Sequence, residues 1–160
     1  MIPRIATADD ITALVQLINA AYRVEDFFVR GNRTTHEDIL ARLEAPQGRF
    51  LVIDAPESQV LAGAVYVEIR GNRGYFAMLS VDPVWQGRGL GRVLVRAVED
   101  HCRAAGCRAL DIDVVSLRSE LPPFYSGLGF VPSGTAPFPD AGKLRQPAHL
   151  VLMTKPLAAQ

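Results

Sequence analysis

The segment from Tyr75 to Val115 leaves this chain little choice of fold. It opens on a β-rich run, Tyr75 to Val81, and passes through a glycine-rich turn, VDPVWQGRGLGR at 81–92. A helical pattern follows, in which Leu90, Val93, Leu94, Ala97, Val98, His101, Cys102 and Ala105 share one face and Gly106 can end the helix. A second β-rich run, Ala109 to Val115, closes the segment. A strand, a helix and a strand of these lengths form a βαβ unit, which predicts that the two strands lie parallel and adjacent.

The flanking sequence adds antiparallel structure around that unit. Arg4 to Ala6 reads as a short strand. Thr7, with Asp10 three residues on, resembles a capping box ahead of Ile11, Leu14, Val15, Ile18 and Tyr22 at helical spacing. RVEDFFVRGNR at 23–33 reads as a loop before a second capped helix from near Thr35, with Ile39, Leu40 and Leu43 apolar. Phe50 to Asp54 and Val60 to Ile69 flank APESQ and, with Tyr75 to Val81 beyond GNRG, predict a three-stranded meander. Pro122 suits the first turn of a short helix ending at Gly129. Phe130 to Ser133 and His149 to Pro156 then complete the sheet, joined by the loop GTAPFPDAGKLRQPA. The expected class is α/β (α+β), with a mixed, mostly antiparallel central sheet of six to seven strands, a parallel βαβ core and flanking helices. A single domain over residues 1–160 is expected from the length.

Charge and composition narrow the function. Seventeen basic residues balance seventeen acidic ones, so no global field draws the chain onto nucleic acid or an anionic membrane. Any anion site must be local, and Lys stands only at 143 and 155, which leaves such contacts mostly to arginine. MIPRIATADD lacks the apolar core of a signal peptide, and the longest apolar run, Leu61 to Val67, is too short to span a bilayer. A cytoplasmic protein without membrane partners is the expectation. Cys102 and Cys107 are too few for a disulfide scaffold, and with His36, His101 and His149 they show no metal-ligand spacing, so no metal is expected.

The glycine turn lies where a strand hands over to a helix. The first helical amides there have no internal acceptors and the helix dipole is positive, so the place suits an anion. Gly87, Gly89 and Gly91 allow positive φ and close approach of a phosphate, and Arg88 and Arg92 can add charge at the rim. A P-loop would need a lysine that is absent. A dinucleotide fingerprint starting at Gly87 would need a third glycine where Arg92 stands, so that reading is the weaker alternative.

Gln86-Gly87-Arg88-Gly89-Leu90-Gly91 resembles the acyl-CoA signature Q/R-x-x-G-x-G/A of the GNAT N-acetyltransferase superfamily. FYSGLGF, Phe124 to Phe130, resembles the family's second hallmark, and the order of elements is similar over nearly the whole chain. The resemblance implies an acetyl-CoA-dependent N-acetyltransferase acting on a primary amine of a small molecule or peptide. It places the CoA pyrophosphate on the amides of Gln86 to Arg92 and the pantetheine arm beside Leu79, Ser80 and Val81, where the strand is expected to splay from 109–115. Tyr125 falls where the family often carries a tyrosine near the CoA sulfur, which implies a general acid. Many relatives carry a carboxylate on the motif strand, and GYFAMLSV has none. Glu68 on the preceding strand is the first candidate base, with Asp111 and Asp113 next. Arg118 stands where many relatives have an asparagine that helps hold CoA; Ser116, Arg118 or Ser119 are candidates for that contact.

In this fold the acceptor site is usually walled by the loop between the first two helices and by the last hairpin loop. Tyr22, Phe27 and Phe28 are therefore candidates for an apolar wall, Glu25 or Asp26 for holding a cationic amine, and Arg30 or Arg33 for gripping an anionic group on the acceptor. A homodimer is compatible with this reading, and so is a catalytically idle acyl-CoA-binding module.

Overall fold

The computed structural model describes residues 1–158. Seven strands form one sheet: β1 (Arg4–Ile5), β2 (Gly48–Asp54), β3 (Leu61–Arg70), β4 (Arg73–Val81), β5 (Ala109–Val115), β6 (Val131–Pro137) and β7 (His149–Pro156), in the spatial order β1-β2-β3-β4-β5-β7-β6. All neighbours are antiparallel except β4 and β5, which are parallel as the βαβ pattern requires. The helices are α1 (Ile11–Ala21), α2 (His36–Glu44), α3 (Leu90–Ala104) and α4 (Leu121–Ser126).

Local chemistry sets the element ends. The backbone N–H of Thr7 donates to the Asp10 carboxylate at 2.8 Å, and Thr35 Oγ1 accepts from the Asp38 N–H at 3.1 Å, capping α2. Gly71, at φ +63°, opens the two-residue turn between Arg70 and Arg73 and lets β3 reverse into β4. One expectation needs correction: the strand beginning at Val131 runs on through Pro137 into what the sequence suggested was loop. Its Pro132 and Pro137 are tolerated because β6 is an edge strand, with a single neighbour to satisfy.

Two cores form, one on each face of the sheet. Along β2, Phe50 and Val52 pack with Leu14, Ile18 and Ile39 of α1 and α2, while Leu51 and Ile53 join Leu94, Val98 and Cys102 of α3. Each large apolar side chain buried this way stabilises the fold by about 1.5–3 kcal/mol. On the α3 face, Tyr125, Phe124, Phe76 and Phe130 pack edge to face, with ring centroids 5.0–6.0 Å apart. Glu99 accepts from Lys155 at 2.7 Å and from Arg103 at 3.4 Å, tying α3 to β7.

In β4 the alternation of faces breaks. Phe76 belongs to the α3 core, Ala77 and Met78 both face the α1 core, and Leu79 and Val81 return to the α3 side. The register explains this: Tyr66 pairs with Ala77 but Ala64 pairs with Ser80, so β4 carries one extra residue opposite Val65. Met78 absorbs the bulge at φ +58°, a left-handed conformation costing a non-glycine residue about 1 kcal/mol or more. The Ser80 hydroxyl donates to the Met78 carbonyl at 3.0 Å and supports the kink.

Candidate active site

Below the bulge β4 is paired with β3 throughout, but its parallel register with β5 covers only Arg73–Ala109, Gly74–Leu110 and Tyr75–Asp111. Beyond Tyr75 the two strands part. A sheet opened in this way exposes unpaired main-chain groups along both inner edges, where an extended ligand can add as a strand. The gap opens into a cavity of about 400 Å³ lined by β4 from Tyr75 to Leu79 and by β5 from Ile112 to Val115. Because the sheet is parted there, the cavity meets Tyr22, Glu25 and Arg33 from the α1 side and Leu121 and Tyr125 from α4.

A second cavity of about 370 Å³ adjoins the upper end of β4, lined by Val81, Trp85, Gln86, Gly87, Gly89, Leu90, Gly91, Arg92 and Phe124. Gly87 and Gly89 both stand at φ +78°, and a Cβ on either would meet nothing within 4 Å. The glycines are needed for backbone conformation rather than for space. Gly89 is the N-cap of α3 and offers no side chain, while the first helical bond runs from the Val93 N–H to the Gly89 carbonyl at 3.1 Å. The amides of Leu90, Gly91 and Arg92, residues that line the second cavity, are therefore left without intrahelical acceptors. The Gln86 amide donates to the Val81 carbonyl at 3.2 Å and closes the turn onto the strand end. Arg88 lies over the Trp85 ring, 4.5 Å from its centroid, at the rim.

The acceptor-side roof of the first cavity is stitched from two distant loops. Val29 forms a β-bridge with Leu144, the Arg30 N–H donates to the Lys143 carbonyl at 2.8 Å, and the Arg30 guanidinium donates to the Leu144 carbonyl at 3.0 Å. Below it, Glu25 is buried and accepts from Arg118 at 2.8 Å, while Arg118 also holds Glu120 at 3.0 Å. Burial pushes the Glu25 carboxyl above its ordinary range, against the pull of Arg118. Tyr75 donates to Asp113 at 3.0 Å, and burial together with that carboxylate raises the Tyr75 phenol. Tyr125 is buried, and desolvation holds its phenol well above the ordinary value, so it stays protonated at neutral pH.

These positions sort the candidates drawn from sequence. Leu79, Tyr125, Tyr22, Glu25, Arg33 and Asp113 line the first cavity, and Val81 with most of Gln86 to Arg92 lines the second. Phe28 does neither: it is fully buried against Phe27, a plug beneath the loop rather than a wall. Glu68 lies outside the cavity lining, fixed between Arg70 and the Tyr66 hydroxyl at 2.8 Å each, and that pairing lowers its pKa. Asp111 is held bidentately by Arg73 at 2.7 Å on the side where the strands are still joined. The Ser116 hydroxyl accepts from the His149 N–H at 3.0 Å, which closes β5 onto β7, and Ser116 lines neither cavity. Arg118 is spent on Glu25 and Glu120. Tyr75, Arg42, Phe138 and Lys143 also line the site and were not singled out in the sequence. Tyr75 carried a signal in its place at the start of the motif strand, and Phe138 and Lys143 in the last hairpin loop already expected to wall the acceptor site; Arg42 carried none. Among the described residues, no group of three or more His, Cys, Asp or Glu side chains could hold a metal ion.

Residues 12–130 match the Acetyltransferase (GNAT) family. The chain belongs to that family. It is 32% identical over 146 residues to the IAA acetyltransferase of Azospirillum brasilense, a match covering 91% of each chain. It is 35% identical over 98 residues to glucosamine 6-phosphate N-acetyltransferase 1 of Oryza sativa subsp. japonica, covering 58% of each. The structure of yncA from Salmonella typhimurium, described with its cofactor acetyl-CoA, shares the fold at a TM-score of 0.77 and 23% identity, over 100% of this chain and 95% of that one. Family membership makes this chain an acyltransferase of the N-acetyltransferase class. Among the described residues no helix is long and apolar enough to cross a membrane.

Proposed function

We propose that this chain transfers an acetyl group from acetyl-CoA directly to a primary amine of a small molecule or peptide. The observation that carries the reading is the geometry along β4: an anion-binding turn at one end, and Tyr125 with Asp113 on the walls of the gap at the other. The amides of Leu90, Gly91 and Arg92 would hold the CoA pyrophosphate, with Arg88 and Arg92 adding charge. The main-chain edge of β4 from Leu79 to Val81 would pair with the pantetheine arm.

Acetyl-CoA supplies an activated thioester whose carbonyl carbon is open to attack by a neutral amine. The amine nitrogen forms the C–N bond, and the C–S bond breaks. Asp113 is the carboxylate on the cavity wall that makes no ion pair among the described residues; it passes the ammonium proton to solvent before attack and then takes the proton the nitrogen loses as the amide forms, directly or through water. Glu68, fixed outside the cavity, has no part in this step. Tyr125, kept protonated by desolvation, gives its hydroxyl proton to the departing sulfur. Solvent returns the proton from Asp113 to Tyr125, and the products are the amide and the free thiol.

Release of free thiol from acetyl-CoA across a panel of amines tests this. Turnover with at least one amine, lost in Tyr125→Phe while CoA binding persists, is expected. Tight CoA binding with no turnover on any amine would instead make the protein an acyl-CoA-binding module.

A further inference from the structure

The charges on the wall of the first cavity are not all matched. Glu25 is paired with Arg118, Arg42 with Asp38 at 3.1 Å, and Asp140 stands 3.9 Å from Lys143. Two remain. Arg33 makes no ion pair and no hydrogen bond among the described residues; its guanidinium lies 5.2 Å from the centroid of the Tyr22 ring, which orients it and leaves its donors free. Asp113 accepts one hydrogen bond, from Tyr75, and makes no ion pair among the described residues; Arg70, stacked on the Tyr75 ring, is paired with Glu68 instead. The two stand on the same wall: Arg33 lies over the Tyr22 ring, Tyr75 donates to Asp113, and all four residues line the one cavity. A cavity that presents one free cation and one free anion is complementary to a ligand carrying both charges.

We infer that the acceptor is an amphoteric amine, its ammonium group set against Asp113 and a carboxylate or phosphate on the same molecule gripped by Arg33. This rests on the acetyl-transfer reading above and adds the substrate class to it. The planar guanidinium fork matches either anion bidentately. Arg42 and Lys143, on the same wall, add positive potential without being free to pair fully. The second charge also explains the placing of the roof: Arg30 holds the loop that carries Arg33 to the last hairpin loop through main-chain carbonyls, so the loop is fixed without using Arg33.

The test uses the full chain saturated with CoA and two matched probe pairs: β-alanine against β-alaninamide, and O-phosphoethanolamine against ethanolamine. Calorimetric affinity is measured for wild type, Arg33→Gln and Arg33→Lys. The proposal expects wild type to prefer the anionic member of at least one pair by about tenfold or more, equivalent to about 1.4 kcal/mol. The pair that shows the larger preference separates carboxylate from phosphate. Arg33→Gln is expected to abolish that preference while ethanolamine and β-alaninamide bind as before, and Arg33→Lys to restore part of it. Equal affinity for both members of both pairs in wild type, or a preference that survives Arg33→Gln, would overturn the proposal. Thiol release is followed in parallel: an Arg33-dependent preference with no turnover on any amine of the panel would sink the transferase reading and leave only the two-charge binding site standing. Arg33 is exposed, so its replacement leaves the core intact.

Discussion

The two ends of the gap beside β4 are built by opposite means. The glycine-turn end is mostly main chain: the donors it offers are the amides of Leu90, Gly91 and Arg92, set by two glycines at φ +78° and by the start of α3. The acceptor end is side chain, drawn from the α1–α2 loop, β4, β5, α4 and the β6–β7 loop. The first surface suits what every acyl-CoA has in common, and the second can change with a few substitutions while the frame stays. A main-chain site must be written locally, because consecutive backbone angles make it. A side-chain site can be gathered from anywhere the fold brings together.

Four changes sharpen or break that contrast. The largest effect is expected at the junction of the two ends, where Tyr125→Phe removes the hydroxyl and keeps the ring packing. The turnover number should fall by about 10²–10⁴, the usual contribution of a positioned acid, with CoA affinity unchanged by calorimetry. Next is the side-chain end. Arg118→Met strands Glu25, which is 8% exposed, and should cost about 3 kcal/mol, read as a fall in Tm of roughly 6–12 °C. A second change, Glu25→Leu, should restore most of that stability, because a pair replaced by apolar groups leaves no buried charge uncompensated.

Third comes the main-chain end. Gly89→Val forces a β-branched residue into a left-handed position at a cost of about 1–2 kcal/mol, so CoA should bind roughly tenfold more weakly. Amine affinity at the acceptor end should be unaffected. The smallest effect lies far from both ends, where Arg4 holds Asp10 and Asp54 at 2.8 Å and depresses both carboxyl pKa values. That contribution is complete above the ordinary aspartate value near 3.8 and is lost as pH falls through the lowered folded values. Arg4→Gln should therefore lower the denaturation midpoint slightly at neutral pH, converge with wild type in strong acid, and leave turnover unaltered.

The same contrast decides what could be read from the amino-acid order. The βαβ unit and the glycine turn were legible because periodicity and positive-φ glycines are local properties. Which candidate carboxylate faces the gap was not. Glu68 and Asp113 look alike in sequence, each a carboxylate on an apolar strand, yet β3 is paired on both sides while β5 loses β4 beyond Tyr75. The bulge was equally hidden, since YFAMLSV has neither glycine nor proline to mark it; its cause is the mismatch of register against Val65. Phe28, placed in a polar loop, reads as a binding wall until the Val29–Leu144 bridge closes over it. Arg118 stood where a CoA contact was expected, but its partner Glu25 lies far away in sequence and only the fold reveals the pair.

The central claim is that the donor is held by the main chain of the glycine turn and the acceptor by side chains across the gap. Amide-resolved NMR of the full chain, titrated with CoA alone, tests it most directly. The account predicts that the largest shifts fall on Leu90, Gly91 and Arg92 and extend down β4 to Leu79, with Arg33 and Lys143 little changed. Shifts centred on the α1–α2 and β6–β7 loops, with the amides of the turn unmoved, would contradict it.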